Sequence, residues 1–195
     1  YEEIDADIKL TSYLSDHHKL TFVQQFTRQF DVPKTNEVVL GSQAQFNYEP
    51  QERLLSYLEY QGRSLSIFDN VKINLSYNKQ REGEEIIGRA TPTVETREVT
   101  DVGTFGGLLQ LTSHWGEAQR FTYGFDYYRD MFDTRKQRID LTFGAESPLT
   151  PGVPDDTHYE SWAVYAQDEI ELWSKAVAIL GIRYSTFNTA GRIGA

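Results

Sequence analysis

The 195 residues include no cysteine, which excludes a disulfide framework, a thiolate metal site and a cysteine nucleophile. No apolar run approaches the roughly 18 residues that a membrane-spanning helix requires. Basic residues are in the minority, 19 Lys and Arg against 29 Asp and Glu, and the net charge of −10 argues against a nucleic-acid partner. Catalytic signatures are missing too: there is no Gly-x-Ser-x-Gly elbow, His-Glu-x-x-His helix or phosphate loop. Gly103-Thr-Phe-Gly106-Gly107 lacks the spacing of a phosphate loop and the helix that should follow one. No enzymatic role is expected, and no cofactor or resident metal is implied.

What is present is alternation. In Lys175-Ala-Val-Ala-Ile-Leu-Gly-Ile-Arg-Tyr184, residues Ala176, Ala178, Leu180, Ile182 and Tyr184 share one face, the period-two signal of a strand with one apolar side. Tyr165–Trp173 precedes it with a single turn residue between them. About eight such strands are expected, near 4–14, 19–31, 51–61, 69–80, 94–112, 119–132, 165–173 and 175–184. The fourth is the cleanest, with Val71, Ile73, Leu75 and Tyr77 set against Lys72, Asn74, Ser76, Asn78 and Gln80. Hydrophobic content of 39% suits a soluble protein, but a transmembrane barrel hides in such a composition because only alternate residues meet lipid.

Short turns near 15–18, 62–68, 113–118 and 174 alternate with long connections at 31–50, 81–93 and 133–157, which carry Pro, Gly and charge and read as loops. Outer-membrane barrels alternate in this way, with short periplasmic turns and longer extracellular loops. The alternation puts Trp115 and Trp173 at the periplasmic interface and Phe30, Phe132, Tyr159 and Trp162 toward the extracellular one, where ring-bearing side chains form girdles. His17, His18 and His114 fall in periplasmic turns, away from an incoming ligand. Adjacent His on a strand point to opposite sides, so His17 and His18 make a poor metal pair.

Two residues resist the pattern. Asp168 shares a face with Val164, Ala166, Ile170 and Leu172, which calls for either a bulge or a different facing of the strand. Arg28 shares a face with Phe26 and Phe30 near a strand end. The polar face should line the lumen with Lys72, Asn74, Asn78, Asp126, Gln167, Glu169 and Arg183. Arg135, Lys136 and Arg138 at the base of the longest loop, with His158 and Tyr159 at its end beside Asp155 and Asp156, are the candidates to meet an anionic chelate. Outer-leaflet lipopolysaccharide phosphates suit the same basic cluster. Glu82, Glu84 and Glu85 read as a solvated loop.

Tyr165-Ala-Gln-Asp-Glu-Ile170 and Gly181-Ile-Arg-Tyr184 resemble the barrel of TonB-dependent outer-membrane receptors. His18-Lys-Leu-Thr-Phe22 leading to Arg28-Gln-Phe-Asp-Val-Pro33, and Phe121-Thr-Tyr-Gly-Phe-Asp-Tyr-Tyr-Arg129, are similar to it as well. The resemblance implies an all-β, antiparallel, up-and-down transmembrane barrel of about 22 strands, plugged by a globular domain. It also implies uptake of a scarce nutrient, such as a ferric siderophore or haem, driven through the TonB complex. On this reading residues 1–195 are one incomplete barrel domain from a longer protein. The family's plug, TonB box and haem-receptor signatures have no counterpart in these residues. Two other readings stay open: a complete eight-stranded outer-membrane barrel with a structural or adhesive role, and a soluble β-sandwich binding module.

Overall fold

The computed structural model describes residues 1–154 and 157–191. In chain order they form β1 (Glu2–Ser15), β2 (His18–Phe30), the short β3 (Val32–Pro33), helix α1 (Thr35–Val39), β4 (Gln43–Leu65), β5 (Phe68–Gly88), β6 (Val94–Trp115), β7 (Gln119–Asp140), the short β8 (Ala145–Leu149), β9 (Thr157–Trp173) and β10 (Ala176–Ala190). Eight strands make the main path of one sheet, β1-β2-β4-β5-β6-β7-β9-β10, so neighbours in sequence are neighbours in space. Every pairing is antiparallel. The sheet is open among the described residues, with β1 and β10 as its edges.

Register sorts the side chains into two faces. Cross-strand partners lie on the same side, and the chain of partners Leu10, Phe22, Leu58, Leu75, Gly107, Tyr127 and Trp162 runs along one of them. The next row on that face is Leu20, Tyr60, Ile73, Leu109, Phe125, Val164 and Tyr184. The opposite face carries Thr11, Thr21, Glu59, Asn74, Leu108, Asp126, Ala163 and Ser185.

The apolar face has no cover. Leu75 is 58% exposed, Leu180 64% and Ile182 76%. Buried apolar residues among those described are only Val23, Phe46, Val71 and Ala163. A soluble sandwich hides its apolar face against a second sheet, and no second sheet is present among the described residues. A contiguous exposed apolar surface of this extent is a surface made to meet lipid.

The strands are longer than the alternation indicated. The expected loops 81–93 and 133–157 are largely strand, with β5 reaching Gly88 and β7 reaching Asp140, while in 31–50 the stretch 42–48, expected to extend a strand in part, opens β4 at Gln43. The physical reason is pairing of charges across the ladder. Glu85 faces Arg97 at 2.8 Å, Glu98 faces Lys136 at 2.9 Å, and Arg81 reaches Asp101 at 3.7 Å. Glu82, Glu84 and Glu85 therefore belong to β5 and not to a loop. The ribbons continue well beyond the nine to eleven residues that span a bilayer. The turns at the other end are as short as expected, at 16–17, 66–67, 116–118 and 174–175.

Candidate functional site

The polar face carries several cross-strand polar clusters. Lys72, Asn74, Asn78, Asp126, Gln167, Glu169 and Arg183 all fall on it by register. Arg183 on β10 donates through both terminal nitrogens to Asp126 on β7, at 2.9 and 3.0 Å, passing over the intervening β9. Such bidentate pairing is the geometry a guanidinium favours with a carboxylate. Asp126 is 8% exposed, so Arg183 covers it from solvent as well as pairing with it. The Arg183 guanidinium also lies 5.7 Å from the Tyr165 ring centroid, and the Tyr165 hydroxyl donates to Gln110 at 3.3 Å.

This arrangement needs a glycine. An added Cβ on Gly124 would meet the Leu109 carbonyl oxygen at 2.4 Å and the Tyr165 hydroxyl at 2.5 Å. Only a residue without a side chain lets the Tyr165 ring lie against β7. Toward the short turns, Lys72 pairs with Glu59 at 3.1 Å, Gln61 donates to Glu59 at 2.7 Å, and Arg120 pairs with Glu169. A polar groove of about 390 Å³ lies there, lined by Lys72, Gln110, His114 and Arg120 among others. Glu59, Gln110 and Tyr165 are members that the sequence reading did not single out. Glu59 and Gln61 alternate with Leu58 and Tyr60, so the period of two in 51–61 is the signal that puts them on the polar side.

At the far end of the same face, Lys136 and Arg138 sit on β7 and Tyr159 on β9, where Tyr159 stacks on Phe187 at 6.1 Å. Lys34 lies 4.5 Å from the Phe46 ring and 5.5 Å from the Tyr48 ring, on this face as well. A hydrogen bond to Tyr48 is the main cause that lifts the Lys34 ammonium above its ordinary value. Partial burial pushes the Glu98 carboxyl up, but hydrogen bonds from Lys136 and the Gly152 amide outweigh it and hold the group below the usual carboxylate value. Partial burial pushes Glu85 up, and Arg97 only partly offsets that.

Arg135 and His158 stand on the opposite, apolar face: Arg135 is out of phase with Lys136, and His158 is the cross-strand partner of Met131. The five loop candidates thus divide between the two sides of the sheet. Asp155 and Asp156 lie outside the described residues. Phe132 and Tyr159 likewise fall on the polar face, which takes them out of the expected aromatic girdle. Phe30 and Trp162 fall on the apolar side, and Trp162 packs on Tyr184 at 5.7 Å.

The two anomalous residues are resolved by partners. Register runs without a break from Glu171 to His158, so no bulge intervenes and Asp168 does stand on the apolar face, between Phe121 and Leu180. Gln119 on the same face donates to Asp168 at 2.6 Å, while the other carboxylate oxygen is buried without a partner. Arg28 is held by Glu52 at 3.1 Å and lies 4.5 Å from the Phe30 ring. Of the turn histidines, His18 shares a 2.7 Å hydrogen bond with the Tyr60 hydroxyl, and His114 bonds Asp69 at 3.0 Å.

Comparison with known proteins agrees with this geometry. The family model described as TonB dependent receptor-like, β-barrel, matches residues 5–193. No curated protein sequence matches the chain. Among solved structures it is similar to the copper transporter OprC, with a TM-score of 0.73 and 13% identity over 94% of this chain and 28% of that one. It is also similar to the ferric citrate transporter FecA in its unliganded form, with a TM-score of 0.64 and 15% identity over 96% of this chain and 29% of that one. The chain therefore spans less than a third of the length of these structures. At such identities the likeness is one of fold. The chain belongs to the TonB-dependent receptor-like β-barrel family of the bacterial outer membrane.

Proposed function

We propose that residues 1–195 form part of the barrel wall of a receptor that takes up a scarce nutrient across the outer membrane under TonB drive. The observation that carries this reading is the division of the sheet. An uncovered apolar face backs onto a polar face whose charges are paired, across strands, along its length. In a closed barrel the polar face is the lumen, and Lys72, Asn74, Asn78, Asp126, Gln167, Glu169 and Arg183 meet the plug or the water around it. A separate plug domain and the TonB complex are partners of the full-length protein.

The ligand reading favours an anionic organic iron complex of the siderophore type. Lys34 and Arg138, with Lys136 already paired to Glu98, stand at the outer end of the polar face, and Phe46, Tyr48 and Tyr159 supply flat apolar surface beside them. Bare copper fits these residues poorly. The chain has no cysteine, its one methionine is Met131 on the apolar face, and soft ions select thiolate and thioether ligands. Haem finds no histidine there, since His158 is on the other side.

The test begins with the native size. An antibody to residues 141–150 should detect, in an outer-membrane fraction, a band several times larger than 22.5 kDa that rises under iron limitation. Lys136→Ala with Arg138→Ala should then raise the ferric siderophore concentration needed for half-maximal uptake. A band near 22.5 kDa would overturn the reading in favour of a small self-contained barrel.

A further inference from the structure

At the short-turn end of the polar face, the groove of about 390 Å³ has Arg63, Lys72 and Arg120 in its lining and no carboxylate. Two cross-strand rows build it. Gln61, Lys72 and Gln110 form one on β4, β5 and β6, and Arg63, Asn70, Thr112 and Thr122 form the next, from β4 to β7. Cross-strand neighbours share a side, so all of these donor-bearing side chains border one space. The Arg63 main chain is pinned by a bond from its amide to the His17 carbonyl oxygen at 2.8 Å, while the residue stays exposed and has no ion pair among the described residues.

We infer that this groove is a binding site for a small organic polycarboxylate, placed to take an anionic chelate as it leaves the barrel toward the periplasm. Its cations keep capacity for such a ligand. Lys72 is held by Glu59 at 3.1 Å and Arg120 by Glu169, yet their side chains are 44% and 49% exposed. An ammonium with three donors, or a guanidinium with five, is not exhausted by one carboxylate. Gln110 accepts from the Tyr165 hydroxyl at 3.3 Å through its oxygen, which leaves its amide nitrogen to donate. Spacing sets the ligand class. Arg63 and Arg120 stand three strands apart, about 14 Å across the ladder. A compact monoanion meets one of these cations, whereas several carboxylates on one molecule meet Arg63, Lys72 and Arg120 together.

The charge along the rest of the face gives the groove its place on a route. Between it and the mouth, Asp7 and Asp130 share a row with Asn78, and Asp5 lies in the next row with Arg53, which donates to Asn78 at 3.1 Å. Glu82 stands one row further out, bonded by Gln80. None of these four carboxylates has an ion pair among the described residues. An anion drawn to Lys34 and Arg138 at the mouth is repelled by this belt and meets opposite charge again at the groove. That route rests on the transport reading, whereas the groove's preference for carboxylates follows from its lining.

The test uses the full-length receptor purified in a non-ionic detergent and dialysed at low salt against radiolabelled citrate, with acetate as the monocarboxylate control. Wild type should bind citrate saturably, and acetate at equal concentration should not displace it. Arg63→Glu should weaken binding at least about tenfold, since it turns a guanidinium–carboxylate pair into a like-charge contact. Arg63→Lys, which keeps the charge, should keep most of the affinity. Arg53→Ala, a charge removal farther up the face, should bind as wild type does. Absence of saturable citrate binding, or binding that Arg63→Glu leaves undiminished, overturns the proposal. So does a loss of thermal stability in Arg63→Glu when wild type binds no citrate, which gives the groove to the plug. Ferric siderophore uptake by the same variants keeps the two readings apart. Citrate binding that depends on Arg63 without any uptake removes the transport reading and keeps the site, and uptake without such binding does the reverse.

Discussion

A single carboxylate tests how lipid-facing charge is tolerated in this wall. Asp168 stands on the apolar face with Gln119 as its one hydrogen-bond donor among the described residues. Gln119→Leu is expected to lower the stability of the full-length receptor by about 1–3 kcal/mol, because a poorly solvated acceptor is left unmet. Asp168→Leu should be neutral or stabilising, since it removes the polar group along with its need. Denaturant unfolding in bilayers reads both, and equal losses would show that the amide–carboxylate bond carries no weight. On the other face, Asp126→Asn and Arg183→Gln should each lower stability measurably, by less than breaking a fully buried pair would, because the Arg183 side chain is half exposed. The double variant should cost clearly less than the sum, as residues in one network do.

At the scale of the element, the long ribbons beyond the bilayer depend on cross-strand ion pairs. Glu98 ties β6 to Lys136 on β7 and to the Gly152 amide after β8. Its carboxyl is held below the usual value, so the tether is fully present above the unfolded-state pKa and is lost as pH falls through the lower folded-state value. Glu98→Gln should speed proteolytic nicking at 150–154 at neutral pH by at most about fivefold, since partly exposed pairs contribute up to about 1 kcal/mol. The difference from wild type should vanish in acid. A nicking rate that ignores both the substitution and the pH would remove Glu98 from the account. These ribbons also show where sequence reading fell short. Val71–Tyr77 announced its strand by alternation, whereas 81–88 and 133–140 looked like loops because their charges find partners only across the ladder.

At the scale of the molecule, eight full strands leave β1 and β10 with unpaired edges. Open backbone edges are not tolerated in hydrocarbon, where no water satisfies them. Residues 1–195 expressed alone should therefore aggregate or stay as an open curved sheet, and should lack the heat-modifiable electrophoretic shift of a closed barrel. A monodisperse, heat-modifiable 22.5 kDa species in detergent would refute this and show that β1 and β10 pair with each other. The structures of the two transporters place the same strand succession in longer chains.

The alternation of apolar and polar residues by itself determined the strand succession, the antiparallel hairpins and which side of each strand is apolar, because side-chain direction in a strand has a period of two. It therefore also placed Lys72, Asp126 and Arg183 on a common face. Tertiary structure decided what no local pattern encodes: that Arg183 passes over β9 to reach Asp126, that Tyr165 lies on Gly124, and that Asp168 is met by Gln119. Those outcomes rest on inter-strand register, which is set jointly by residues 40 to 60 positions apart.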